Sequence, residues 1–233
     1  MLARLLSECA GPEVRGVALS GSHARGQADA FSDVDLVCYV PQALPRSGWL
    51  GHREGRLVSV DRQHIEDRLA NLRHPVEALH AVLPLRRLRV LLDRDGALSA
   101  LRQAALAFRW DSLQAAAQAR SGELVAHQAE VVHKLMGGLS AGDDSRSLAA
   151  LNELVQELAV ALALLRGVLL DSGNTFFAQV WQAAGSGSPW TRTHRRAAGV
   201  DEAITLNERG EAGLALYIHT VALVEPVMSD EHR

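Results

Sequence analysis

The chain has 233 residues, 48% of them hydrophobic and 22% charged, with a formal net charge of −3. That composition excludes a disordered chain, and its mildly acidic balance argues against a general nucleic-acid binder, whose affinity comes from neutralising phosphates. The length suits one large domain or two small ones, and 4% aromatics beside plentiful Ala and Leu favours helices over an all-β fold.

In chain order, Leu2, Leu5, Leu6 and Cys9 recur at helical spacing, and Gly11-Pro12 stops that helix. A short strand is expected over 14–20, a turn at Gly21-Ser22, and a brief helix over 23–28. A strand follows over 32–40, then a loop over 41–48, a strand over 56–61 and a helix over 62–72. The pattern stays helical over 75–81. A short strand over 88–92 is closed by the turn "DRDG" at 93–96. Beyond Gly96 the chain reads as helical: Ala-rich over 97–119, strongly amphipathic over 121–139, and again over 146–170 after the break and N-cap "SAGDDS". "GSGSP" at 185–189 is a loop, and a last helix runs over 209–228. The fold class is therefore α+β: a mixed sheet with flanking helices over 1–96, then a helical bundle over 97–233.

Cys9 and Cys38 both lie on apolar faces, so the expectation is two core thiols in a reducing compartment, not a disulfide framework. Residues 1–10 are too short for a signal peptide and carry Arg4 and Glu8. The apolar run 158–170 is interrupted by Arg166 and Gly167 and is too short to span a bilayer. The expected setting is cytoplasmic, with neither a membrane nor a nucleic acid as partner, and the protein a monomer or homodimer.

The informative stretch is "ALSGSHARGQADAFSDVDLVCYV", Ala18 to Val40. Strand alternation puts Val34, Leu36, Cys38 and Val40 on one apolar face and Asp33, Asp35, Val37 and Tyr39 on the other. Two carboxylates this close repel unless something cationic lies between them, and oxygen ligands suit Mg²⁺. Just ahead, Gly21 allows the backbone to approach a ligand closely. Amides opening the helix attract phosphate, and Arg25 adds a bidentate contact. A phosphate cradle beside a metal-binding carboxylate pair describes phosphoryl or nucleotidyl transfer. The bland alternative has Asp33 as a turn residue and Asp35 facing solvent on an edge strand; the compact spacing of Gly-Ser, helix and Ser-Asp-x-Asp weighs against it.

"GSHARGQADAFSDVDL" resembles the signature of the polymerase-beta-like nucleotidyltransferase superfamily: an apolar residue, Gly-Ser, a spacer, then Asp-apolar-Asp-apolar. Its Ser-x-Ala-Arg-Gly core is most similar to the minimal and antibiotic-modifying branches, such as the kanamycin, streptomycin and lincosamide nucleotidyltransferases. The resemblance implies that Gly21, Ser22 and Arg25 bind the triphosphate and that Asp33 and Asp35 bind Mg²⁺. It further implies two Mg²⁺ ions, ATP or another nucleoside triphosphate as donor, and transfer of AMP to a hydroxyl of a small-molecule acceptor, an aminoglycoside or lincosamide antibiotic among the choices.

The family usually has a third acid on a neighbouring strand. "RLVSVDRQH" supplies Asp61, on the face opposite Val58 and Val60; if that face meets Asp33 and Asp35, Asp61 completes a carboxylate triad as a third metal ligand. The alternative is a helix N-cap, and Arg62 stands where the family commonly has an apolar residue. For the general base, some antibiotic nucleotidyltransferases use a glutamate of the helical domain. Here Glu123, His127, Glu130 and Lys134 form one stripe, with Glu130 the candidate. A solvated face with i, i+4 pairing is the competing reading, and Asp61 can itself serve as base. The ten histidines show no zinc spacing. Trp181 and Trp190 read as packing residues, and "TRTHRR" at 191–196 as a solvated loop. Two other functions stay open: modification of a protein in a toxin–antitoxin pair, and a catalytically silent nucleotide-binding module. The long helical half argues against the first, and the retained carboxylates against the second.

Overall fold

The computed structural model describes residues 1–42, 48–201 and 204–228. The chain divides into two compact units, one of Met1–Arg109 with Leu169–Ser172 and one of Trp110–Val168 with Gly173–Arg233.

The first unit is built on a five-stranded sheet, and its strands appear in this chain order: β1 (Gly16–Leu19), β2 (Val34–Val40), β3 (Trp49–Arg53), β4 (Arg56–His64) and β5 (Arg89–Asp93). Their order across the sheet is β3-β4-β2-β1-β5. β1 runs antiparallel to both β2 and β5, while β2 and β4 are parallel. The sheet is therefore mixed, as expected. The apolar face expected of β2 is the core: Val34, Leu36, Cys38 and Val40 are buried with Val58 and Val60 of β4, Val17 and Leu19 of β1, and Leu5 and Cys9 of helix α1 (Leu2–Cys9). Both thiols are free, as expected. They lie against each other, and burial pushes the Cys38 thiol up to about 12.

Strand β3 was not expected. It pairs antiparallel with β4 through a two-residue turn at Glu54-Gly55, where both residues have positive φ. That is the twist-matched hairpin turn, which suits glycine at its second position. The loop expected over 41–48 falls largely outside the described residues. The β2 strand begins at Val34, not Ser32, because Asp29 to Ser32 close a turn of their own: Ser32 Oγ donates to Asp29 Oδ1, and the Phe31 amide donates to the same oxygen.

Helices α2 (Gly21–Arg25), α3 (Ile65–Asn71), α4 (Pro75–Arg86) and α5 (Ala97–Ala107) complete this unit. α5 packs on α3, α4 and β5, so the division by contacts falls after Arg109, not at the change of composition after Gly96. The Ala-rich stretch is thus two helices, one in each unit, separated by a 3-10 turn at Trp110–Leu113.

The second unit is helical: α6 (Gln114–Ala141), α7 (Asp144–Arg166), α8 (Phe176–Ala184), α9 (Pro189–Ala198) and α10 (Leu206–Val224). α6 and α7 form a hairpin in which small residues let the backbones close up. A Cβ on Gly138 would stand 2.6 Å from Ser147 Oγ and 2.9 Å from its amide nitrogen. Asp143 caps α7, accepting from the Arg146 amide at 3.0 Å. α7 is long and apolar enough to cross a bilayer by length and composition, yet 56% of its most apolar window is buried, as in a core helix. The loop expected at 191–196 is instead inside α9. Thr191, His194 and Ala197 are buried while Arg192 and Arg196 are exposed, so the basic string hides an amphipathic helix. His194 sits among Phe177, Trp181 and Trp190.

Candidate active site

The site residues gather where β1 gives way to α2 and where β2 begins. Ser20 is extended, and its amide donates to the Asp35 carbonyl at 2.8 Å. This ties the turn to the carboxylate strand. Gly21 follows with φ +63°, a left-handed conformation that glycine adopts without a Cβ penalty. A Cβ there would lie 2.0 Å from Asp35 Oδ2. The Asp35 carboxylate is thus pressed against the Gly21 backbone, and only hydrogen fits between them.

Asp33 stands immediately before β2, and Asp35 is its second residue. Burial, and then the negative charge of Asp33, hold the Asp35 carboxyl above its ordinary value; His23 and Arg25 act in the opposite direction. The pair is therefore electrostatically uncomfortable, as the strand alternation predicts, and two of the nearby groups of α2 are basic. His23 adds a feature that the sequence did not disclose: its Nε2 is buried without a hydrogen-bond partner among the described residues. Arg25 Nε donates to Gln27 Oε1 at 3.0 Å and lies 3.8 Å from Asp171 Oδ2. Asp171 was not anticipated either, since it follows α7 and reaches the first unit through the short segment Leu169–Ser172.

The parallel register decides what neighbours the pair. Asp35 is opposite Ser59, and Val37 is opposite Asp61. Asp61 does share the face of Asp35, but two residues further along. With ~3.3 Å per residue and ~4.8 Å between strands, the Asp35 and Asp61 α-carbons are roughly 8 Å apart. Asp61 is exposed and accepts from Gln63 Nε2 at 2.6 Å. It is the sixth residue of β4, well ahead of α3, and not the N-cap, which is His64. No group of three His, Cys, Asp or Glu side chains able to hold a metal occurs among the described residues. Within its own unit Glu130 is on the solvated side of α6, 76% exposed and 2.8 Å from Lys134 Nζ. That hydrogen-bonded lysine holds its carboxyl below the usual range, which weakens it as a base.

A divalent cation fits the pair all the same. Mg²⁺ is commonly held by one or two carboxylates, with substrate phosphates and water completing the shell. Two mutually repelling carboxylates, one of them set against a backbone that a Cβ would obstruct, provide that arrangement.

Residues 2–87 match the model of the nucleotidyltransferase domain family. A solved structure of similar fold, a nucleotidyltransferase-like protein from Exiguobacterium sibiricum 255-15, has a TM-score of 0.55 at 15% identity, covering 96% of this chain and 73% of that one. At such identity the likeness concerns the fold. No curated protein matches the sequence. The chain carries a nucleotidyltransferase domain, and its enzyme class is that of a nucleotidyltransferase. Enzymes with this domain generally use a nucleoside triphosphate and a divalent metal.

Proposed function

We propose that this enzyme transfers AMP from ATP to a hydroxyl of a small molecule, with an aminoglycoside or lincosamide antibiotic as the acceptor class to test first. The observation that carries the reading is the Asp35 carboxylate, pressed on Gly21, charged against Asp33, and faced by His23 and Arg25.

Gly21 lets the triphosphate approach the backbone, and Ser22 and Arg25 supply a hydroxyl and a guanidinium to its oxygens. Asp33 and Asp35 are the residues that would hold Mg²⁺, two ions by the family resemblance. Bound there, the metal neutralises the triphosphate and makes the acceptor hydroxyl easier to deprotonate. The acceptor oxygen forms a bond to the α-phosphorus, the bond to the bridging oxygen breaks, and pyrophosphate leaves with its electron pair. The hydroxyl proton goes to a base. Asp61, on the same sheet face, serves this role better than Glu130, whose carboxylate is already engaged by Lys134. The two buried, reduced cysteines suit a cytoplasmic setting.

Incubation with labelled ATP, Mg²⁺ and a panel of aminoglycosides and lincosamides tests the proposal. A labelled antibiotic supports it. Label appearing only on a co-expressed protein would move the acceptor to a macromolecule, and no transfer to any hydroxyl compound would contradict it.

A further inference from the structure

We infer that Asp171 is a positioning residue for Arg25, fixing its guanidinium for the triphosphate; this rests on the nucleotidyl-transfer reading of the site. The segment Leu169–Ser172 follows α7 but packs as part of the first unit. Its backbone is pinned there: the Leu170 amide donates to the Leu79 carbonyl at 2.8 Å, and the Leu170 side chain is buried. One residue on, the Asp171 carboxylate has an arginine at each oxygen. Oδ1 accepts from Arg87, at the C-terminal end of α4, and Oδ2 faces Arg25 Nε. The Arg25 and Asp171 side chains are only 14% and 15% exposed, so the pair is shielded from solvent screening far more than a surface ion pair.

The arrangement is directional. Gln27 and Asp171 both approach the Nε edge of Arg25, which leaves its terminal nitrogens for bidentate phosphate recognition. α2 is only five residues long, so its own turns do little to fix so flexible a side chain. Arg87 anchors the carboxylate from behind, and Asp171 in turn selects the rotamer of Arg25.

The test is calorimetry on the full-length protein with Mg²⁺ and a non-hydrolysable ATP analogue, comparing wild type, Asp171→Asn, Asp171→Glu, Arg25→Ala and the Asp171→Asn/Arg25→Ala double variant. Asp171→Asn should weaken nucleotide binding roughly tenfold, the scale of one misplaced charge-assisted contact. Asp171→Glu should restore part of that loss. The double variant should bind no more weakly than Arg25→Ala alone, because Asp171 acts through Arg25. In turnover, KM for the nucleotide should rise more than kcat falls. A purely structural Asp171 would lower the melting temperature and leave that split unmoved. Wild-type affinity in Asp171→Asn alongside a weakened Arg25→Ala, or additive losses in the double variant, would overturn the inference while leaving the nucleotide site intact. Absence of nucleotide binding by the wild type would overturn the underlying reading and the inference with it.

Discussion

Gly21→Ala adds one methyl group at the point where the turn meets the carboxylate strand. Two costs follow. With φ at +63°, alanine takes on a left-handed conformation worth about 1–2 kcal/mol, which for a chain of this size lowers the melting temperature by roughly 2–8 °C. The second cost falls on function. The new Cβ would stand 2.0 Å from Asp35 Oδ2, so the carboxylate must retreat by roughly 1.4 Å to regain ordinary contact. A displacement of ~1 Å at a reacting centre is worth about 10²-fold in rate. The variant should therefore fold, melt slightly early, and release pyrophosphate from ATP at about one hundredth of the wild-type rate or less. Thermal melting and a coupled pyrophosphate assay read the two effects separately. Wild-type turnover in a Gly21→Ala protein would show that Asp35 does not depend on its place against Gly21.

Glu130→Gln should be nearly silent in kcat, since its carboxylate is solvated and paired with Lys134; Asp61→Asn should lower transfer by roughly 10²–10⁴, the usual worth of a general base. The reverse pattern in initial rates would return the base to the helical unit. His194 is fully buried, its Nδ1 accepts from the Trp181 indole at 3.0 Å, and its Nε2 lies 3.0 Å from the Val155 carbonyl, so the neutral ring satisfies both neighbours. Burial lowers its pKa from 6.5 to about 4. Its contribution is full above pH 6.5 and is lost as pH falls towards 4, up to about 3 kcal/mol in all. Denaturant midpoints between pH 7 and pH 5 should fall in the wild type and fall less in His194→Gln; equal slopes would contradict the assignment.

The core face of β2 was legible because Val34, Leu36, Cys38 and Val40 recur at every second position and are all buried, although Val37 and Tyr39 on the other face are buried too. The grouping of Asp33 and Asp35 with the Gly-Ser turn was legible for the same reason. β3 was not: it is an edge strand with Gly51 and His52 in its middle and Leu50 68% exposed, so it owes its existence to backbone pairing with β4 and not to an apolar pattern. α9 was hidden because Trp190, His194 and Ala197 supply a buried stripe in which one member is a histidine, among arginines that read as loop. Asp171 carries no local signal at all. It joins Arg25 only because the chain returns to the first unit after two long helices, a long-range event that local pattern does not encode. The stripe containing Glu130 was legible, but which way it faced depended on helix packing.

The proposed metal ligands of nucleotidyl transfer are Asp33 and Asp35. The most direct measurement is Mg²⁺-dependent incorporation of label from ATP into an acceptor, comparing wild type with Asp35→Asn. Transfer by Asp35→Asn should fall below a few per cent of wild type. The metal-free variant should be no less stable than the wild type, because the substitution relieves the repulsion with Asp33 and the cost of burying that charge. Substantial transfer by Asp35→Asn in a correctly folded protein would contradict a metal-binding role for this carboxylate.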